Sequence, residues 1–69
     1  MKKPNFHPGD IPPWARWAAM DADGAWWCYE VEPLQQEHGW YENEVGRCQR
    51  LRIGPPLEDW RSSLIRLPD

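Results

Sequence analysis

The sequence predicts a small α+β domain dominated by strands. We expect a three-stranded antiparallel meander with a short C-terminal helix packed on one face (β-β-β-α). Eight prolines and five glycines in 69 residues favour short strands and fixed turns over long helices. Six tryptophans supply the large rings that so small a core needs. Residues 1–13 are predicted to be an extended Pro-rich N-terminal arm, and residues 14–69 a single domain. Two alternatives are open for the arm: Phe6 and Ile11 pin it across the body, or its first few residues are loose.

The central hairpin is predicted from a turn signal followed by a strand signal. Residues 21–24, Asp-Ala-Asp-Gly, have the carboxylates and the glycine that are typical of a tight turn. Residues 25–32 are rich in aromatic and β-branched types, which favour a pleated strand, and Pro33 ends the run. Residues 14–20 are the predicted partner strand.

The register of this hairpin follows from the length of its loop. A three-residue loop with Gly24 in the left-handed conformation places Arg16 opposite Glu30, and a loop of two or four residues would lose that charge match. The face predicted to be the core consists of Trp17, Ala19, Trp27, Tyr29 and Val31. The opposite face consists of Arg16, Ala18, Met20, Trp26, Cys28, Glu30 and Glu32.

A long connection and a third strand are predicted next. Residues 34–44 are polar and lack a sustained period, so they are read as a connection from which Trp40 and Tyr41 fold back onto the sheet. Residues 46–53 alternate as a strand that ends at the Gly-Pro-Pro of residues 54–56. Its predicted outer side chains are Cys48, Arg50 and Arg52.

The final segment has the pattern of a short helix. Glu58 and Asp59 fall in its first turn and Arg66 in its last, where the helix dipole favours each charge. An apolar stripe with spacing i, i+3, i+7, i+10 is predicted to pack on the sheet: Leu57, Trp60, Leu64 and Leu67.

Charge is distributed unevenly along the chain. Residues 1–20 carry +2, residues 21–44 carry −7 and residues 45–69 carry +2, which sum to the net charge of −3. This is not the basic footprint of a general nucleic-acid binder. The apolar runs are too short for a membrane span, and two cysteines are too few for a disulfide framework. We therefore expect a cytoplasmic protein with reduced thiols.

Catalytic and metal chemistry find little support in the sequence. The candidate zinc ligands are Cys28, Cys48, His7 and His38. They lack the close spacing of zinc ligands, so no metal or other cofactor is expected. Neighbouring arginines would keep Glu30 and Glu32 ionised, which does not suit an acid/base pair, so no enzyme activity is expected.

Three runs of the chain carry a resemblance: WARWAAMDADGAWWCYEVEP, GWYENEVGRCQRL and DWRSSLIRLP. Together they resemble a class of short Trp-rich proteins encoded by bacteriophages and prophages, over roughly residues 14–68. The resemblance implies a phage or prophage accessory protein that binds a host protein in the bacterial cytoplasm. The resemblance assigns no binding or catalytic residue to this chain.

The sequence thus favours a non-enzymatic interaction module with a protein partner. Aromatic and arginine side chains anchor interfaces, so the predicted binding surface consists of Trp26, Glu30, Glu32, Trp40, Tyr41, Arg50 and Arg52. One alternative is a nucleic-acid-linked module, which binds single strands through the Trp and Arg face or mimics DNA through its acids. Another is a structural homodimer that pairs an exposed sheet edge with its own copy.

Overall fold

A computed structural model describes residues 8–42 and 46–67, in which the chain forms two antiparallel sheets and two single turns of 3-10 helix. The six strands are β1 (Trp17–Met20), β2 (Ala25–Tyr29), β3 (Leu34–Gln35), β4 (Trp40–Tyr41), β5 (Cys48–Ile53) and β6 (Ile65–Arg66). The 3-10 turns are Pro8–Asp10 and Trp60–Ser62. Within the described ranges, no helix has the length and apolar character needed to cross a membrane.

The larger sheet contains four strands in the order β5-β2-β1-β6, and β3 pairs with β4 in a separate two-stranded sheet. The predicted dominance of antiparallel strands is therefore confirmed. Of the predicted arm, Ile11 packs against the core, whereas Phe6 and His7 lie outside the described residues. The predicted connection of residues 34–44 contains the hairpin β3–β4 instead of irregular chain alone.

The β1–β2 turn has the predicted three-residue loop. Gly24 has a φ of 91° and donates its N–H to the carbonyl of Asp21 at 3.0 Å. The Asp21 N–H in turn donates to the carbonyl of Ala25 at 2.9 Å. Ala19 pairs with Trp27, as the three-residue loop requires, so the register is confirmed.

The core cluster lies on the face opposite to the predicted core face, although two residues predicted to be core, Ala19 and Tyr29, are buried as expected. Its buried cluster consists of Ala15, Ala18, Met20, Trp26, Cys28, Trp60 and Leu67. Trp17, Trp27 and Val31, which were predicted to be core, are only half-buried. Both faces of β1 and β2 are apolar, so period-2 alternation does not distinguish them. Trp60 and Leu67 determine which face is buried, because they pack onto the Trp26 face.

The predicted C-terminal helix is wrong. After the 3-10 turn Trp60–Ser62 the chain becomes β6, which pairs with β1 through Trp17–Arg66 and Ala18–Ile65. Without β6, β1 would leave a row of backbone groups unpaired on its outer side, and these groups require partners when buried. Pairing with β1 satisfies them, whereas a helix of about ten residues has little stability of its own.

Strand β5 contains an irregularity that changes which residues share a face. Trp26 pairs with Arg52 while Trp27 pairs with Arg50, so Leu51 is an extra residue at this bulge. Adjacent residues of β2 point to opposite faces, and their partners follow them. The prediction that Arg50 and Arg52 share one face is therefore wrong.

Candidate functional site

The hairpin β3–β4 docks onto the β1–β2 turn through Asp21. The Asp21 Oδ1 atom accepts the backbone N–H of Trp40 at 2.9 Å. The indole Nε1–H of Trp40 donates to the carbonyl of Met20 at 3.0 Å, and Ala22 N–H donates to the carbonyl of His38 at 3.0 Å. These bonds hold Trp40 against the sheet, as the sequence predicted.

A glycine at the tip of this hairpin permits the close approach. A Cβ atom at Gly39 would lie 2.6 Å from Asp21 Oδ1, too close for any other residue without a shift. Burial raises the pKa of the Asp21 carboxyl, the Trp40 N–H opposes that change, and the charge of Asp23 adds to it. Asp21 is therefore a partly buried carboxylate at a fixed position.

An open hollow of about 210 Å³ lies between this hairpin, strand β2 and the start of β5. We call it the aromatic hollow, and it is lined by Asp21, Trp27, Tyr29, Trp40, Tyr41, Glu42 and Cys48. Tyr29 is buried, Trp27 and Trp40 are half-buried, and Tyr41 is 41% exposed. Four aromatic side chains, three of them partly exposed, and two carboxylates thus line one opening.

The thiol in the aromatic hollow is held protonated. Cys48 Sγ donates to Glu42 Oε2 at 2.7 Å. Burial, followed by this hydrogen bond and the charge of Glu42, raises the pKa of Cys48 to about 11. A reactive cysteine needs the opposite shift, because the thiolate is the nucleophile.

The pKa of the Tyr29 phenol is raised by its surroundings in the aromatic hollow. Burial raises the pKa of Tyr29, and the negative charges of Asp21 and Glu42 raise it further. Each of these groups disfavours an additional negative charge nearby. The aromatic hollow therefore favours a cationic occupant over an anionic one.

Two of the seven predicted site residues, Trp40 and Tyr41, lie in the aromatic hollow. Trp26 is 6% exposed and packs in the core, so its predicted outward orientation is wrong. The alternative of single-strand binding relies on Trp26 as its stacking ring. That ring is in the core and cannot stack on a base. The remaining predicted residues are outside the lining of the hollow: Glu30, Glu32, Arg50 and Arg52.

The predicted pairing of Glu30 is also corrected. Its carboxylate forms an ion pair with Arg47 at 3.0 Å and accepts the Arg47 backbone N–H at 3.0 Å. These hydrogen bonds lower the pKa of Glu30 to about 2, and the charge of Arg16 contributes only the smallest part. The Arg16 guanidinium donates to the carbonyl of Pro13 at 3.0 Å.

Sequence reasoning missed most of the lining because the side chains come from distant segments. Trp27 and Tyr29 are both predicted to be core, since large rings on a predicted strand are usually buried. Tyr29 is buried as expected, whereas Trp27 is half-buried. Alternation along β2 was the available signal: it separates Trp26 from Trp27 without saying which one is covered.

Metal-ligating side chains do not gather in the part of the chain that the structure describes. No group of three His, Cys, Asp or Glu residues there could hold a metal ion. Comparison of the chain with protein-family models, curated proteins and solved structures finds no match.

Proposed function

We propose that the chain is a non-enzymatic module that binds a protein partner through the aromatic hollow and its rim. The observation that carries this proposal is the cluster of four aromatic side chains that line one concave site, three of which are partly exposed. Tryptophan and tyrosine are the residues that most often anchor protein interfaces, and they do so best in pockets that exclude water.

The protonation states of the titratable groups support a binding role over catalysis. Cys48, with its pKa raised to about 11, is a poor nucleophile at neutral pH. Glu30, with its pKa lowered to about 2, stays ionised and cannot deliver a proton as a general acid near pH 7.

The resemblance to short Trp-rich proteins of bacteriophages and prophages supports a specific kind of partner. An accessory protein of that origin acts in the bacterial cytoplasm, so its partner is a host protein. The partner's surface would have to complement a site that is aromatic in its walls and acidic at two points, Asp21 and Glu42.

Site-specific photo-cross-linking in bacterial cells tests this proposal. Benzoylphenylalanine at Tyr41 would sit at the rim of the aromatic hollow. The same group at Leu57, which is 40% exposed and does not line the hollow, is the matched control. We expect one discrete cross-linked host protein from position 41 and none from position 57. Equal patterns from both positions would contradict the proposed site.

One observation favours the homodimer as a second candidate. β5 is an outer strand of the four-stranded sheet, and its Ile53 is 64% exposed. An edge that no other strand of residues 8–42 and 46–67 covers can add a strand from another copy. Sedimentation would show a dimer that Ile53→Lys converts to a monomer, whereas a monomer at all concentrations would exclude this candidate.

A further inference from the structure

We infer that the aromatic hollow takes the guanidinium group of an arginine side chain presented by the protein partner. The inference rests on the proposed function and names the group that the partner inserts. Aromatic rings attract cations through their negative faces, and carboxylates attract them by charge. The hollow combines both, with four rings and the carboxylates Asp21 and Glu42.

The carboxylates have capacity left for an incoming donor. Among the described residues, Asp21 bonds Trp40 N–H through Oδ1 alone, and Glu42 bonds the Cys48 thiol through Oε2 alone. Within residues 8–42 and 46–67, these bonds use only one oxygen of each carboxylate, so the second oxygen makes no hydrogen bond that would compete with an incoming donor. A guanidinium has five N–H donors in a planar fork and can bond a carboxylate while it stacks on a ring.

The chain already uses this type of contact on three of its other tryptophans. Three of its own arginines lie over indole rings, at 4.5–5.2 Å from guanidinium carbon to ring centroid: Arg47 over Trp14, Arg61 over Trp60 and Arg66 over Trp17. In the described part of the chain, no arginine lies over Trp27 or Trp40. Both indoles are half-buried and line the hollow, so each presents part of its surface there to an incoming arginine.

The size and charge of the site favour one side chain as occupant. Its volume of about 210 Å³ is below the roughly 300–1,000 Å³ of pockets that enclose drug-sized ligands. The two carboxylates of the lining, Asp21 and Glu42, attract a basic side chain and repel an acidic one. Lysine fits less well, because its compact ammonium is more strongly hydrated and does not stack.

Binding of a blocked tripeptide, N-acetyl-Gly-Arg-Gly-amide, tests the inference directly. The same peptide with citrulline is the control, since citrulline keeps the shape of arginine and removes its charge. NMR would follow the indole N–H signals of Trp27 and Trp40. We expect a Kd of about 1–10 mM for the arginine peptide and binding about tenfold weaker for citrulline.

A pair of variants locates the binding at the hollow. Glu42→Gln removes a lining charge and should weaken arginine binding several-fold. Glu58→Gln removes an exposed charge outside the lining and should leave the Kd unchanged. Equal binding of the arginine and citrulline peptides, or tighter binding of a lysine peptide, would overturn the inference.

The two proposals can fail separately. A cross-link from position 41 without selective arginine binding would reject the arginine anchor and keep the protein-binding function. Selective arginine binding without any cross-link would support the arginine site and reject the proposed protein-binding function in those cells.

Discussion

Trp26 and Trp27 are neighbours in β2 with different surroundings. Trp26 is 6% exposed and belongs to the core cluster, while Trp27 is half-buried and lines the aromatic hollow. Successive side chains of a strand point to opposite faces, so one residue can stabilise the fold while the next contacts a ligand. At the scale of single residues, Trp26 therefore stabilises the fold, and Trp27 belongs to the proposed binding site.

Gly24 is constrained both by its conformation and by its surroundings. Gly24→Ala would place a side chain at φ 91° and bring its Cβ into collision with the carbonyl oxygen of Gly54. We expect a loss of more than about 1 kcal/mol in the free energy of unfolding. Chemical denaturation measures it, with Gly9→Ala as the control because nothing lies within 4 Å of a Cβ there. Equal stability of the two variants would contradict the described turn.

The Cys48–Glu42 hydrogen bond predicts how fast the thiol reacts. Glu42→Gln removes the negative charge that helps to raise the pKa of Cys48 to about 11. The pKa should fall, and the thiolate fraction at pH 8 should rise by up to about tenfold. Alkylation of the Cys48 peptide, followed by mass spectrometry, should accelerate by the same factor. Glu58→Gln is the control, and an unchanged rate in Glu42→Gln would show that the thiol does not bond Glu42.

At the scale of elements, the C-terminal segment completes the sheet. β6 pairs with only two residues of β1. Beyond these two residues, the side chain of Ser63 bonds the β1 backbone in place of a strand. The Ser63 hydroxyl accepts the N–H of Met20 at 2.8 Å and donates to the Met20 carbonyl at 3.2 Å. Ser63 is 1% exposed, so it satisfies both backbone groups of Met20 in a buried environment.

Ser63→Ala should therefore be costly for so small a change. It leaves the buried N–H of Met20 without its partner, which costs about 1–3 kcal/mol. Ser62→Ala is the matched control, because Ser62 is exposed and its substitution should change stability by less than about 0.5 kcal/mol. Thermal denaturation compares the two variants, and identical melting temperatures would contradict the role of Ser63.

The sequence predicts those elements that local chemistry determines. Asp21 to Gly24 determine their own turn, and that turn sets the register of β1 and β2. Trp60 was correctly predicted to be buried, but not the structure around it. The apolar stripe from Leu57 to Leu67 has helical spacing, yet the unpaired side of β1 binds this segment as a strand. Such tertiary pairing has no signature in local sequence.

At the scale of the whole molecule, the two faces of the four-stranded sheet serve different purposes. The Trp26 face is covered by Trp60 and Leu67 and forms the core. The Trp27 face carries the aromatic hollow, with the β3–β4 hairpin at one side. The sequence could not identify the covered face, because both are rich in large apolar side chains. The proposed function depends on this assignment.

Comparing the melting temperatures of Trp26→Leu and Trp27→Leu tests that assignment most directly. Trp26→Leu leaves a cavity in the core and should cost about 2–4 kcal/mol, which is a large part of the stability of a domain of this size. Trp27→Leu alters a half-buried residue of the hollow and should cost no more than about 1 kcal/mol. A Trp27→Leu variant that melts at or below the temperature of Trp26→Leu would contradict the account, since the core would then lie on the Trp27 face.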